Sequence, residues 1–514
     1  MIPAMLILGM LIAVFFWAGL KQSHVHFLLA ILAVALIYYG LLASNGNPAN
    51  FFAPTATSQI FPNLWDHITH GAIGIDRKFA GGEYFAVGPH QYVVYFGVMP
   101  ALLRGIEKLF GFNPYHVNVT NLSTLLSIGV AGLSLTFAFR RLGLLAPRVA
   151  DFTFSLFTAV LLATPIALLA AWGWVYHEAI IWGVAWTIVF VAFFTCWVFE
   201  SSSRRRWWHG AIMGLATGMA MHSRPIVALT AVVPFSYLVC EAAWQWIRHK
   251  RVATLKLLFP GIIIACVLAG LMMLINYQRW GSPFRFLRIE QSAALIQNPD
   301  RAERLKKAGE YNLDRIIPSF AYYVLPDRDN IKSSWPFITP DQQLASMRHV
   351  PYYDYTEGVR TPILISMSYL IVLAGFGAVR IRKLRSEERI ASVVVVAAGG
   401  VVAALLLTAF TVASRYTAEF VPVAIYLALV YLVTRSRNSD TQKIRQPIWL
   451  FVLLILSIVA TTLTAIQYKT VRESYHRPGT KTEFRKQFRL APEQGAIIFV
   501  IDNQRIPETV YLKD

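Results

Sequence analysis

The run VYHEAIIWGVAWTIVFVAFFTCWVF, residues 175–199, decides the fold class of this chain. After Glu178 it contains no charged side chain, and three arginines follow it at residues 204–206. A helix needs about 20 mostly apolar residues to cross about 30 Å of hydrocarbon. The run therefore predicts a membrane-spanning helix with a basic connector after its carboxyl end.

The whole chain has the composition of a membrane protein. Its 514 residues are 56% hydrophobic and 15% charged, whereas soluble domains carry about 45–50% apolar and about 25% charged residues. These values exclude a water-soluble enzyme of this length, a disordered chain, a coiled coil and a collagen. The net charge of +19 comes from basic connectors, so no nucleic-acid partner is expected. Cys196, Cys240 and Cys266 lie in apolar runs without disulfide or metal-site spacing.

The same length rule, applied along the chain, predicts an all-α polytopic protein with about twelve transmembrane helices. The first apolar run has no basic start and no small-residue cleavage site, so it is predicted as a helix rather than a signal peptide. The candidate spans are residues 2–20, 24–44, 119–139, 152–172, 175–199, 208–222, 225–246, 257–277, 362–379, 391–413, 418–434 and 447–467.

Basic residues are concentrated in alternate connectors, which predicts the orientation of the helices. Short connectors rich in Lys and Arg stay in the cytoplasm. We therefore expect residues 45–118, 278–361 and 468–514 to face outward, which in a bacterial inner (plasma) membrane is the periplasmic side. The predicted domains are a transmembrane unit over residues 1–467 and a small outer appendage over 468–514.

The first outer segment, residues 45–118, has recurring apolar and aromatic residues but no run long enough to span. This pattern predicts interfacial helices at the membrane surface. Asp66, Asp76 and Glu83 then lie near the lipid headgroups, where ionisable side chains are costly and often functional. Each is either a solvated or capping charge, or a general base for an acceptor that arrives from the water.

A very short outer turn joins two predicted spans and contains Tyr176, His177 and Glu178. Glu178 lies in the first turn of a predicted helix, where the helix dipole favours a negative charge, and this effect alone would explain it. The aromatic neighbours and His177 predict, as the alternative, the wall of a pocket.

Two arginines lie at other outer turns, almost inside the bilayer. Arg224 follows His222 closely, and Arg415 precedes Tyr416. The planar guanidinium group matches a phosphate, to which it donates two parallel hydrogen bonds. The alternatives are that Arg224 extends to lipid headgroups and that Arg415 pairs with Glu419 one helical turn away.

The second long outer segment, residues 278–361, has no spanning run and nearly balanced charge. Loops of this length usually have a function of their own, so we expect a lid or an acceptor groove. No metal site is predicted, because Asp66, His67 and His70 do not have a recognised ligand spacing. Dependence on a divalent metal stays open.

With these features in place, the chain resembles the GT-C superfamily of membrane glycosyltransferases, which use polyprenyl-phosphate-linked sugars. That family has a long first outer loop with surface helices and an acid, followed by a helix pair with a short acidic outer turn. Residues 45–118 and 176–178 match this order. The strings 71–104, 276–283 and 415–416 resemble a bacterial branch of the superfamily.

The resemblance implies an inverting transfer, without a cofactor, to an acceptor hydroxyl on a glycan, lipid or protein of the cell envelope. The acid pair of better-known members is absent, since His67 follows Asp66, so Asp76 is the first choice for the base. The implied catalytic carboxylates are Asp76, Asp66, Glu83 and Glu178. The implied phosphate ligands are Arg224, Arg415 and His222, and the implied acceptor or sugar ligands are His177, Tyr95 and Tyr176.

Two other function classes remain compatible with these residues. One is an outer-face polysaccharide polymerase or ligase with diphosphate-linked donors, and the other is a lipid or solute transporter. Transporters often show paired half-repeats and binding sites near the membrane midplane. Neither feature is evident in the sequence.

Overall fold

The computed structural model describes residues 24–476 apart from 53–57, 81–82, 112, 114, 116–117, 148, 201–206, 297–298, 327–336, 338–352, 354, 357–358, 361 and 438–445. Three sequence predictions lie wholly or mostly outside the described residues: the first span at residues 2–20, the middle of the second outer segment, and the outer appendage beyond residue 476.

The described chain is mainly helical, with two short pairs of strands. The helices are α1 (His24–Ser44), α2 (Ile60–Thr69), α3 (Arg77–Ala80), α4 (Met99–Leu109), α5 (Thr120–Arg141), α6 (Ala150–Leu162), α7 (Ile166–Ala171), α8 (Val175–Phe199), α9 (Trp207–Met221), α10 (Pro225–His249), α11 (Ala253–Trp280), α12 (Ala293–Ile296), α13 (Pro299–Ala308), α14 (Ile316–Val324), α15 (Ile363–Ser366), α16 (Ser368–Arg380), α17 (Ser386–Thr408), α18 (Val421–Arg437) and α19 (Ile448–His476). The strands are β1 (Phe85–Gly88) with β2 (Gln91–Val93), antiparallel, and β3 (Tyr355–Thr356) with β4 (Thr411–Val412), parallel.

Eight helical segments among the described residues are long and apolar enough to cross a membrane. They are α1, α5, α8, α10, α11, α17, α19 and the run Ser414–Arg437, in which the 3₁₀ segment Ser414–Phe420 leads into α18. The prediction of a polytopic all-α membrane protein is therefore confirmed.

Three of the predicted spans appear as shorter helices. The span predicted at 152–172 is divided into α6 and α7, because Pro165 has no backbone N–H and disfavours helix in the residue before it. The span predicted at 362–379 is divided at Met367 into α15 and α16. The span predicted at 208–222 is α9, which has 15 residues. The exact number of membrane spans therefore stays a prediction.

Helix α8 lies at the centre of the bundle. All of its residues except Tyr176 and Trp186 are buried, and it packs against α5, α9, α10 and α18. A helix that is apolar on every side can be enclosed by other helices or by lipid, and the burial of α8 shows that other helices enclose it. The deciding run of the sequence is thus the core of the fold.

Helix α9 approaches α11 along a row of glycines. Gly210, Gly214 and Gly218 recur every four residues, and a Cβ on any of them would overlap atoms of α11. Gly214 lies directly against the backbone of Gly261. Small residues at this spacing permit close backbone contact between membrane helices.

The basic connectors lie together at one end of the bundle. Arg141 Nη2 donates to Glu200 Oε2 at 3.0 Å. Arg437 donates to Glu388 Oε1 at 2.8 Å and to the backbone oxygen of Phe199 at 2.9 Å. These contacts join the connectors that sequence analysis assigned to the cytoplasm.

The predicted outward segments lie together at the opposite end. Lys469 Nζ, near the end of α19, donates to the backbone oxygen of Leu42 at 2.7 Å. Tyr468 Oη lies 3.1 Å from His177 Nε2, at the start of α8. Helix α19 continues to His476, so the predicted domain boundary after residue 467 falls inside a helix.

The first outer segment forms short helices, as expected for a surface layer, and a hairpin. Helix α4 is amphipathic: Arg104 is buried, while Ile106, Leu109 and Phe110 are 50%, 85% and 77% exposed. Such an exposed apolar face fits a helix that lies in the plane of a membrane surface. The hairpin β1–β2 was not predicted from the sequence.

Candidate functional site

The side chains that sequence analysis selected lie at the end of the bundle where α1 ends and α8 begins. All of them except His177 and His222 fall into three groups with the residues around them. The Asp76 cleft is lined by Asn63, Asp66, His67, His70, Asp76, Phe79 and Tyr115. The arginine–tyrosine cluster consists of Glu83, Tyr95, Tyr176, Arg224, Arg415, Tyr416 and Glu419. The Arg104 triad consists of Arg104, Glu107 and Glu178.

The Asp76 cleft is an open hollow of about 460 Å³ beside α2. The backbone N–H of Asp76 donates to Asn63 Oδ1 at 2.8 Å, and the Asn63 amide donates back to Asp76 Oδ2 at 3.0 Å. His67 Nε2 lies 3.3 Å from Asp76 Oδ1. Because the Asp76 side chain is also 48% exposed, it is oriented by its neighbours and still accessible from the water.

Asp66 lies in the same cleft, but both of its oxygens have partners. One oxygen pairs with Lys108, and the other accepts a hydrogen bond from Tyr115 Oη at 2.5 Å. Burial alone would raise the pKa of Asp66, but Lys108 and Tyr115 lower it below the usual value. A carboxylate stabilised in this way is a weaker proton acceptor, which favours Asp76 over Asp66 as a base.

The histidines of the Asp76 cleft make hydrogen-bond contacts with acidic residues. His67 contacts the Asp76 carboxylate, and His70 Nδ1 lies 2.7 Å from the backbone oxygen of Asp66. Across the described ranges of the chain, no group of three or more His, Cys, Asp or Glu side chains is arranged to hold a metal ion.

The arginine–tyrosine cluster is built from two turns that are distant in sequence. Arg224 precedes Pro225, the first residue of α10, and has the extended backbone that a following proline favours. Its Nε lies 2.9 Å from Glu419 Oε1, and the Glu419 side chain is fully buried. Glu419 thus neutralises Arg224, although it was considered from the sequence as a partner for Arg415.

Aromatic rings surround the guanidinium groups of this cluster. The Cζ atom of Arg224 lies 4.9 Å from the ring centre of Tyr416, and that of Arg415 lies 5.2 Å from the same ring. Arg415 also lies 4.9 Å from the ring of Tyr176 and 5.6 Å from the ring of Trp174. Contacts of this kind stabilise a cation that is shielded from water.

Glu83 and Tyr95 bring the first outer segment into this cluster. Tyr176 Oη donates a hydrogen bond to Glu83 Oε2. Burial raises the pKa of Tyr95, with further increases from Tyr416 and Glu83 that outweigh the two arginines. Tyr95 therefore remains a neutral phenol beside two cations, and its O–H is available as a donor.

Arg104 and Glu178 of the Arg104 triad are sealed inside the protein. Arg104 Nη2 lies 2.6 Å from Glu178 Oε2, and both side chains are 0% exposed. Arg104 Nη1 donates to Glu107 Oε1 at 3.0 Å, and Nη2 also contacts Thr120 Oγ1 at 3.2 Å. Glu178 is thus enclosed by its partners, and this geometry favours a role in positioning α8 and the adjoining Tyr176.

Both predicted site histidines are tied to other helices. His177 Nδ1 lies 3.0 Å from the backbone oxygen of Trp172, and its Nε2 contacts Tyr468. His222 Nε2 lies 2.8 Å from the backbone oxygen of Leu268 in α11. Burial lowers the pKa of His222, so this ring is neutral near pH 7.

Several residues of the site were not selected from the sequence. Asn63, which orients Asp76, and Arg104, which neutralises Glu178, lie in apolar surroundings on short surface helices. The sequence carries no signal for Arg104, because the helix dipole alone accounts for a glutamate at the start of an apolar span. No local sequence signal identifies Asn63.

Comparison with known proteins gives distant structural similarities. No protein-family model matches the chain, and no curated protein matches it. The chain is similar to an oligosaccharyltransferase from Archaeoglobus fulgidus, with 12% identity and a TM-score of 0.45, and to the oligosaccharyltransferase AglB of that organism in complex with an inhibitory peptide and a dolichol-phosphate, with 14% identity and a TM-score of 0.41. Each similarity covers 91% of this chain but only 60% of the archaeal chain.

A third similar structure is ArnT from Cupriavidus metallidurans bound to undecaprenyl phosphate. The identity is 12% and the TM-score 0.45, and the similarity covers 91% of this chain and 81% of that one. Similarities of this extent do not establish the activity of this chain, so its function has to be argued from its own residues.

Proposed function

We propose that this chain is an inverting glycosyltransferase that moves a sugar from a polyprenyl-phosphate lipid to an acceptor hydroxyl at the outer face of a bacterial inner membrane. The arginine–tyrosine cluster carries the proposal. Its two guanidinium groups lie 4.9 Å and 5.2 Å from the ring of Tyr416, at the ends of membrane-spanning helices. Cations at this depth suit the phosphate of a lipid whose tail remains in the bilayer.

Arg224 and Arg415 would stabilise the phosphate as it leaves the sugar. Negative charge accumulates on that phosphate, and fixed donors that meet the charge lower the barrier. Glu419 holds Arg224 in place through a contact of 2.9 Å. Because the leaving group is already a phosphate, the reaction requires no general acid. His222, two residues before Arg224, is a lesser candidate for the same phosphate.

Asp76 would accept the proton of the acceptor hydroxyl as its oxygen attacks C1 of the sugar. The attack occurs opposite the leaving phosphate and passes through an oxocarbenium-like transition state, which inverts the anomeric centre. The exposure of Asp76 and its two contacts with Asn63 support this assignment. Glu83 is the second candidate for the base, because it accepts a hydrogen bond from Tyr176, whose ring contacts Arg415.

Tyr95 and Tyr176 would line the sugar site. Their ring centres lie 6.3 Å apart, and Glu83 and the two arginines are neighbours of Tyr95. Aromatic faces pack against the apolar faces of sugars, and the neutral Tyr95 hydroxyl can donate to a sugar oxygen. His177 and Glu178 lie in the same helical turn and would hold Tyr176 in position.

A transfer assay with purified protein in liposomes tests the proposal. The donor is a radiolabelled polyprenyl-phosphate sugar, and the acceptor is a membrane extract of lipids and glycans, with and without EDTA. Asp76→Asn should lower transfer about 10²–10⁴-fold, and Arg415→Gln should lower it about 10²–10³-fold. Asp314→Asn is the matched control, because Asp314 is an exposed acid on the second outer segment.

The outcomes separate the competing assignments. Full activity of Asp76→Asn with loss in Glu83→Gln would transfer the role of base to Glu83. Activity that survives in both, and in Arg415→Gln, would overturn the proposal. Competition of the reaction by polyprenyl diphosphates but not by monophosphates would indicate the polymerase or ligase class, and solute movement without sugar transfer would indicate a transporter.

A further inference from the structure

Arg279 lies near the carboxyl end of α11 and is 3% exposed. Its Nη1 donates to the backbone oxygen of Phe96 at 2.9 Å. Its Nε and Nη2 atoms are buried and have no hydrogen-bond partner within the described ranges. The sequence analysis assigned no role to this residue.

Arg279 lies on the buried face of α11. Met272, Asn276 and Arg279 are buried and follow one another at spacings of four and three residues, so they share one face of the helix. Most other residues in this part of α11 are exposed, as expected for a helix that borders lipid. Arg279 is thus a cation on the inner face of a lipid-bordering helix.

A buried guanidinium group is costly unless an anion compensates it. Arg104 and Arg224 each have a buried glutamate at 2.6 Å and 2.9 Å, respectively. For Arg279, no described acidic side chain lies within ion-pair distance, and its only described hydrogen bond is to the Phe96 carbonyl. The charge of Arg279 therefore lacks the compensation that the other two arginines have.

The two unpartnered atoms form one edge of the guanidinium plane. The N–H groups on Nε and Nη2 point in the same direction, and this edge binds two oxygens of a carboxylate or phosphate. The contact with Phe96 uses the other terminal nitrogen and fixes the plane. The indole Nε1 of the neighbouring Trp280 is likewise buried without a described partner.

Arg279 borders the arginine–tyrosine cluster. The ring of Phe96 packs edge-on against Tyr176 at 4.9 Å between ring centres. His222, two residues before Arg224, contacts α11 at Leu268. A phosphorylated lipid that approaches beside α11 would therefore meet Arg279 close to the cluster.

We propose that the Nε and Nη2 edge of Arg279 is an anion-binding subsite for a phosphoryl group, carried by the lipid that the enzyme uses as donor. The choice of that lipid rests on the proposed function, whereas the subsite itself rests on the geometry of Arg279. The phosphoryl group is either the single phosphate of a monophosphate carrier or one phosphate of a diphosphate carrier.

Binding to the purified full chain in detergent tests the subsite without requiring transfer. The probes are undecaprenyl phosphate, undecaprenyl diphosphate, phosphatidylglycerol, inorganic phosphate and undecaprenol, which has the same tail and no phosphate. Arg279→Gln should raise the Kd for the phosphorylated carrier about tenfold to hundredfold. Arg279→Lys, which retains the charge but not the two-donor edge, should give an intermediate Kd.

Two controls separate binding from a structural effect. Arg285→Gln removes the same charge from an exposed side chain of the following loop and should leave every Kd unchanged. Arg104→Gln should lower the unfolding temperature of the ligand-free protein, because it leaves Glu178 unpaired. Arg279→Gln should not lower it, because it removes a charge that nothing compensates.

The pattern of Kd values decides the inference. A selective effect on the monophosphate or the diphosphate identifies the carrier, and an effect confined to phosphatidylglycerol or inorganic phosphate identifies a headgroup or a free ion at the same subsite. Equal weakening of undecaprenol, or no change with any probe, would overturn the subsite. If Arg415→Gln alone loses phosphate binding, the proposed function stands and the Arg279 subsite fails.

Discussion

Replacing Glu107 with Gln is expected to stabilise the protein at pH 8 and to leave its stability nearly unchanged at pH 4. Glu107 accepts a hydrogen bond from Arg104 at 3.0 Å, and its side chain is 11% exposed. Burial raises the pKa of Glu107 from 4.5 to about 7; Arg104 opposes the increase, and the charge of Glu178 adds to it. The cost of removing the Glu107 carboxylate from water is thus larger than its attraction to Arg104.

The direction of the pH effect follows from the two pKa values. The folded protein holds the Glu107 proton more tightly than the unfolded chain, so the stabilising contribution is complete below pH 4.5 and is lost as the pH rises through about 7. The shift corresponds to about 3 kcal/mol. Glutamine resembles the protonated carboxyl at every pH, so the variant should keep the stability that the wild-type protein loses.

Denaturant unfolding in detergent, repeated from pH 4 to pH 8, measures this difference. The curves of the two proteins should nearly coincide at pH 4, and the free energies of unfolding should differ by up to about 3 kcal/mol at pH 8. Glu303→Gln is the control, because Glu303 forms an exposed pair with Lys307 at 2.8 Å and should show no such divergence. A Glu107→Gln protein that is less stable than wild type at pH 8 would refute the reasoning.

Three further substitutions test other parts of the structure. Glu178→Gln should cost about 3–5 kcal/mol of unfolding free energy by leaving Arg104 without its closest anion. The transfer rate per folded molecule should fall much less than in Asp76→Asn. Gly97→Ala should destabilise the protein by about 1–3 kcal/mol or more, because the added Cβ would overlap a carbonyl of the α9–α10 turn. Gly129→Ala is the control, because a Cβ at that position meets open space, and thermal unfolding compares the two variants. Tyr176→Phe removes the hydrogen bond to the Glu83 carboxylate, so it should lower initial transfer rates about tenfold or more and the free energy of unfolding by about 1–3 kcal/mol.

The membrane framework could be predicted from the sequence because the length of an apolar run is a local property. Residues 175–199, predicted as a span, form α8 with the same bounds. The break at Pro165 has a local cause and could also have been anticipated. The contact of α9 with α11 has a local signal, because glycines at a spacing of four permit close helix contact, but no local pattern of α9 specifies that α11 is the partner.

The pairing of charges could not be predicted in the same way. Arg224 and Glu419 are 195 residues apart in sequence, and Arg104 and Glu178 are 74 apart, so each pair depends on how distant helices meet. The sequence placed Arg415, Tyr176 and Glu178 at one end of the helices, and the structure has them there. It gave no indication that Glu178 is enclosed or that Arg279 is buried.

The contacts made by Tyr468 and Lys469 set an order for the biogenesis of the bundle. The carbonyls at the end of α1 and the imidazole of His177 reach the membrane early during synthesis, but the groups that hydrogen-bond to them belong to α19, the final described helix. Until that helix inserts, a ribosome-bound intermediate retains these polar groups without those bonds. Insertion of α19 is therefore expected to supply these bonds after the other described helices are in place, and truncation before Tyr468 is expected to leave the end of α1 and His177 without them.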